Sequence, residues 1–227
     1  MKEKLVLNVT MEADTRYSFT AQFLCASAIF SRQCAEIESL QPVNSNNKIL
    51  TEHRGLVTAA IMQCVAAIEA ESAELTMHGP GAHLGSNGTD MAAKKILEPL
   101  ADFIDGQQPL DKFQIILHIL SKPPMEKGDK IWEDMALLIK LRNELIHYKS
   151  KLGKEMDSKK LFKSLEGLKL AKPPFASLQA NFFPHQFLGA ACAVWSVRTS
   201  VAFLNSFYDH LGIESCLKGY MGQFKGL

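Results

Sequence analysis

The stretch LIKLRNELIHYKSKL, residues 138–152, decides how the chain is read. Continued back to Ile131, its apolar residues recur at spacings of three and four, as one buried helical stripe requires. At about 100° per residue from Ile131, the residues Trp132, Met135, Leu138, Ile139, Leu145 and Ile146 spread around a direction near 40°. Arg142 falls at about 20°, inside that stripe, whereas Glu133, Lys140 and Glu144 point to the opposite side. Asn143 and His147, one turn apart, share the adjoining flank.

A guanidinium cannot shed its proton to escape burial, so Arg142 requires an anion, a polar network or a wet cleft. Two partners are open. Glu71, close to the apolar face of an earlier helix, would make an ion pair between packed helices. Alternatively, Arg142 faces a phosphate and His147 handles a proton. Arg198 and Asn205 fall within the expected apolar face of the last long helix, where they line the same pocket or satisfy each other.

Helical spacing extends over the rest of the chain, and period-two alternation is nearly absent. One helix is expected from Tyr17 to Leu40, with Phe19, Phe23, Ala26, Phe30, Cys34 and Ile37 inward. Thr51 is placed to cap a second, reaching about Met77. A third begins near Thr89 or Asp90 and runs to Ile104, interrupted at Pro99, where a backbone donor is missing. A short apolar run spans 113–120. Pro184 suits the first turn of a final helix reaching His210, with Phe187, Ala191, Val194, Val201 and Ala202 on its apolar face. LVLNVT, residues 5–10, reads as an extended strand, but one segment makes no sheet. The organisation expected is a single all-α domain over residues 1–227.

Composition agrees with a globular chain. Hydrophobic residues make up 47% of the 227, and the formal net charge is +1, so the molecule as a whole is no polyanion magnet. Its charge is locally uneven. Eight lysines lie between Lys149 and Lys172, against Glu155, Asp157 and Glu166, and Lys149, Lys151 and Lys154 directly follow the opening stretch. They form either a solvated face or a surface that attracts phosphates. Five cysteines at long spacings suggest neither a disulfide framework nor a zinc site, and suit a reducing cytoplasm. His78 and His83 lack further ligands at metal-binding spacing, so no metal or cofactor is expected. The glycine-rich loop Gly79–Gly88 lacks the ending of a phosphate-binding loop and reads as a connection. Charged residues interrupt each apolar stretch before membrane-spanning length, which predicts no membrane association.

The segment Arg142-Asn143-Glu144-Leu145-Ile146-His147 resembles the arginine-to-histidine signature of the HEPN superfamily, in the form where asparagine follows the arginine. The resemblance covers a core of about residues 51–210, with the first helix as an addition. It implies a compact helical bundle, a homodimer, and signature residues from both copies lining one cleft. Catalytic members are metal-independent endoribonucleases of toxin, phage-defence and RNA-processing systems. Others bind a nucleotide, RNA or a protein partner without turnover. Carried over residue by residue, the resemblance assigns Arg142, Asn143 and His147 to the site, with RNA or a nucleotide as ligand and an antitoxin or other protein as a further partner.

Overall fold

The first two helices pack closely because their facing residues are small. In the computed structural model, which describes residues 18–40, 47–85, 88–148, 160–176 and 180–227, α1 (Phe19–Leu40) and α2 (Asn47–His78) form an antiparallel pair. Their contacts step in opposite directions along the two helices. Thr20 Oγ1 donates to the Ala67 carbonyl (3.5 Å), Ser27 Oγ to that of Ala60 (2.9 Å), and Cys34 Sγ to that of His53 (3.9 Å). The buried face of α1 is thus Thr20, Ala21, Leu24, Ser27, Ala28, Ser31 and Cys34. The expected stripe of large residues lies about 100° round from it. Phe19 is 50% exposed, and Phe23, Phe30 and Ile37 are half-buried. Small side chains win the interface because they let the backbones approach and send their hydroxyls to carbonyls instead of stranding them.

α2 also begins earlier than expected. Thr51 stands one turn inside it, its hydroxyl donating back to the Asn47 carbonyl (2.8 Å), so it caps nothing. By length and composition α2 could cross a membrane, contrary to the reading that charges interrupt it, but half of its most apolar window is buried inside the bundle. It is the central rod, on which α1 and most of the later helices pack.

Asp90 caps α3 (Met91–Leu97), accepting from the backbone N–H groups of Ala92 and Ala93 at 3.0 and 2.9 Å. A 3₁₀ turn carrying Pro99 then separates it from α4 (Ala101–Asp105), as the missing donor requires. α5 (Pro109–Ile119) buries Phe113 edge-on against Phe203 and Phe207, and α6 (Lys130–Ile146) carries the opening stretch. α7 (Lys160–Glu166) is a short helix whose Phe162 stacks on Phe183.

Pro184 does not open the last helix. It belongs to a separate π turn, Phe182–Gln186, and α8 (Ala190–Leu211) begins only after Gly189. A β-carbon at Gly189 would lie 2.8 Å from Pro173 Cγ and 3.0 Å from a Glu38 carboxylate oxygen, so only glycine admits both neighbours. That same Glu38 oxygen accepts from Ala190 N–H (2.7 Å) and from His53 Nε2 (2.8 Å), tying the ends of α1 and α8 to α2. At the far end of the pair, Glu71 of α2 meets Tyr208 of α8. These two ties lie 18 residues apart on both helices, so α2 and α8 run parallel. The described residues form an all-α bundle; the LVLNVT segment falls outside them.

Candidate functional site

Burial of α6 follows the helical wheel in part: Trp132, Met135, Leu138 and Ile139 of the stripe are buried, but Leu145 is half-buried, Ile146 is exposed, and Leu141, outside the stripe, is buried. Arg142 stands among them with its side chain only 18% exposed. Its guanidinium does not reach Glu71. It pairs instead with Glu69, whose side chain is 42% exposed. Two residues along a helix are about 200° apart, so Glu69 and Glu71 cannot serve one face. α6 flanks α2 on the side of Glu69, while Glu71 turns toward α8. One end of the pair remains wet, and Arg142 Nε is buried with no hydrogen-bond partner.

His147 is the C-cap of α6. Its backbone N–H donates to the Asn143 carbonyl (3.0 Å), and both side chains are exposed, with no side-chain hydrogen bond to another described residue. The next residue, Tyr148, approaches Phe183 with ring centroids 6.1 Å apart, which docks the end of α6 near the π turn. The open end of α6 therefore offers an imidazole and an amide, one turn apart, on the helix that also carries the largely buried Arg142. Lys149, Lys151 and Lys154 lie outside the described residues.

Glu71, expected to support that site, belongs to a different one. It is 2% exposed and accepts hydrogen bonds from the Tyr208 hydroxyl and from the Cys216 thiol (3.4 Å). Burial pushes its carboxyl above the usual range, an effect the Tyr208 hydrogen bond opposes and the charge of Glu74 reinforces. Burial and the neighbouring Glu71 charge push the Tyr208 hydroxyl and the Cys216 thiol up as well. These groups line a cavity of about 920 Å³, together with Glu74, His78 and His83. His83 Nε2 hydrogen-bonds the Glu214 carbonyl (2.9 Å), and its ring stands edge-on to Tyr208. Burial lowers its pKa. The glycine-rich loop forms part of this wall. At Gly81, with φ +79°, a β-carbon would fall 2.1 Å from the Gly88 carbonyl oxygen, so the loop closes only on glycine.

Arg198 and Asn205 are not inward, and they do not meet. Arg198 is exposed and donates to the Leu227 carbonyl, while Asn205 accepts from Ser215 Oγ (2.7 Å). The buried face of α8 is made by Cys192, Ala193, Ser196, Val197, Ser200, Phe203, Leu204 and Phe207. Of the face that the sequence suggests, Phe187 and Val201 are buried, but Ala191 and Val194 are half-buried and Ala202 is exposed. Serines count as polar in a periodicity reading and so interrupt the true face, yet Ser196 buries its hydroxyl on the Cys192 carbonyl (2.9 Å) and leaves a small, packable surface.

Sequence reasoning also missed a cluster made by Glu38, His53, Arg54 and His185. These residues lie up to 147 positions apart in the chain and share no motif, so no local signal could have joined them. Compared with family models, curated proteins and solved structures, the chain matches none of them.

Proposed function

We propose that the chain is a HEPN-like, metal-independent endoribonuclease that works as a homodimer in a toxin or phage-defence setting. The observation that carries this reading is the open end of α6, which carries the exposed Asn143 and His147 just after Arg142. In the reaction, the 2′-hydroxyl of RNA loses its proton to an imidazole and its oxygen bonds to the neighbouring phosphorus. The bond from phosphorus to the 5′ oxygen breaks, and that oxygen takes up a proton, leaving a 2′,3′-cyclic phosphate and a 5′-hydroxyl. His147 serves as one proton carrier, and His147 of a second copy as the other. Arg142 offsets the charge growing on the nonbridging oxygens, exchanging the wet Glu69 carboxylate for phosphate as RNA arrives. Asn143 orients the phosphate or the imidazole.

The test is RNA cleavage by the purified chain in EDTA, with end-group analysis. Activity with cyclic-phosphate ends, lost in folded Arg142→Ala and His147→Ala, is expected; cleavage that persists in purified His147→Ala overturns the role given to His147.

A second reading has an observation of its own. The Arg142–Glu69 pair already gives the guanidinium an anion, as a noncatalytic module binding a nucleotide, RNA or protein partner requires. Such a module binds ligand without turnover and is indifferent to His147→Ala.

A further inference from the structure

A second cavity, of about 190 Å³, lies where α2 meets the π turn before α8. It is about four turns along α2 from Glu69. Its lining is basic. His53, Arg54 and His185 line it together with Phe175, Leu50 and Leu188, and no carboxylate is among the described lining residues. At this size it is below the volume of a pocket for a drug-sized ligand and suits one small polar group.

The protonation of each group follows from its partner. Arg54 Nη2 donates to His185 Nδ1 at 2.7 Å. A guanidinium only donates, so Nδ1 carries the lone pair and His185 presents Nε2–H as a donor. Burial and the Arg54 charge both lower the pKa of His185, which favours this neutral form. The remaining donors of Arg54 have no acceptor among the described residues. His53 is wholly buried and fixed on two sides. Its Nε2 meets the Glu38 carboxylate at 2.8 Å, which makes Nε2 the protonated nitrogen, and its ring stands edge-on to Phe175 with centroids 4.7 Å apart. In the neutral ring Nδ1 is then an acceptor, and it is buried without a hydrogen-bond partner. Buried polar atoms without partners are rare in folded chains and call for an explanation.

We infer that this cavity is a binding site for a hydrogen phosphate group, either free or as the terminal phosphate of a nucleotide. Hydrogen phosphate supplies both things the site lacks. Its anionic oxygens accept from the free Arg54 donors and from His185 Nε2–H, and its P–OH donates to His53 Nδ1. Glu38 holds His53 in the accepting tautomer while also capping α8, so the floor of the site is built by the core and its rim by two exposed side chains. Sulfate, which has no proton near neutral pH, would leave Nδ1 unpaired and desolvated.

The experiment is calorimetric titration of the full chain with inorganic phosphate, sulfate, adenosine monophosphate and a short oligoribonucleotide. Saturable binding of one phosphate per chain is expected, tighter than sulfate by at least about tenfold, since one buried acceptor stays unpaired with sulfate. Arg54→Gln changes an exposed residue; it is expected to leave the bundle intact by circular dichroism and to weaken phosphate at least about tenfold. Adenosine monophosphate binding tighter than phosphate assigns the site to nucleotides, and equal affinity assigns it to the free ion. Binding of the oligoribonucleotide alone, equal affinity for sulfate, or unchanged affinity in Arg54→Gln overturns the assignment.

Discussion

The corner where Arg142 meets Glu69 and the core site where Glu71 meets Tyr208 start from the same residue type, two positions apart on α2, and reach opposite states. Glu69 stays 42% exposed and holds an arginine through an ion pair that water can enter. Glu71 is 2% exposed and holds two neutral donors, with its own carboxyl pushed toward the protonated form by burial. A wet ion pair can exchange one anion for another at little cost, whereas a largely buried hydrogen-bonded network cannot lose a member without stranding the rest. The first arrangement suits a binding site and the second a structural one.

The sharpest way to break this contrast is His147→Ala. At an exposed C-cap it is expected to leave the melting temperature within a degree or two while lowering RNA cleavage by roughly 10²-fold or more. Cleavage assays in EDTA beside thermal melts check both halves. Glu71→Ala is expected to act the other way, destabilising the fold by roughly 2–4 kcal/mol through a cavity, an unpaired buried Tyr208 hydroxyl and an unpaired, partly buried Cys216 thiol. Urea unfolding measures that loss, and a cost near zero would mean the network holds nothing.

The pH dependence of stability sharpens the same point. Folded Glu71 binds its proton more tightly than the unfolded chain does, because burial raises its pKa above the usual 4.5. Its contribution is therefore full below about pH 4.5 and is lost as pH rises through the raised folded value. Glu71→Gln, which cannot ionise, is expected to flatten that decline in melts taken across mildly acidic to neutral pH. The smallest effect belongs to the wet corner. Glu69→Gln is expected to change stability by less than about 1 kcal/mol, since the pair is partly solvated. It is also expected to tighten binding of a noncleavable RNA by freeing Arg142; weaker binding, seen by fluorescence anisotropy, would assign Arg142 a purely structural role.

Much of this was legible in the chain, for reasons specific to each element. Asp90 and Pro99 act through their own backbone, so the cap of α3 and the break before α4 could be read locally. The inward direction of Arg142 could be read because large apolar residues surround it on α6. The faces of α1 and α8 could not. On α1 the buried surface is made of serines, threonines, alanines and cysteines, so its large apolar residues point to the wrong side; on α8 small buried residues such as Ser196 and Ser200 interrupt the apolar face that Val197, Phe203, Leu204 and Phe207 define. Arg198 and Asn205 were misplaced for that reason. The choice between Glu69 and Glu71 was equally hidden, because it depends on which side of α2 each of α6 and α8 occupies.

By itself, the sequence determined the helical periods, their breaks, and the alignment of Arg142, Asn143 and His147, because these follow from backbone geometry within a few residues. Only the tertiary structure decided the partner of Arg142, the burial of Glu71, and the meeting of Glu38, His53, Arg54 and His185. Each of those depends on how distant helices rotate about their own axes, and that rotation is set by close packing of small side chains across the whole bundle.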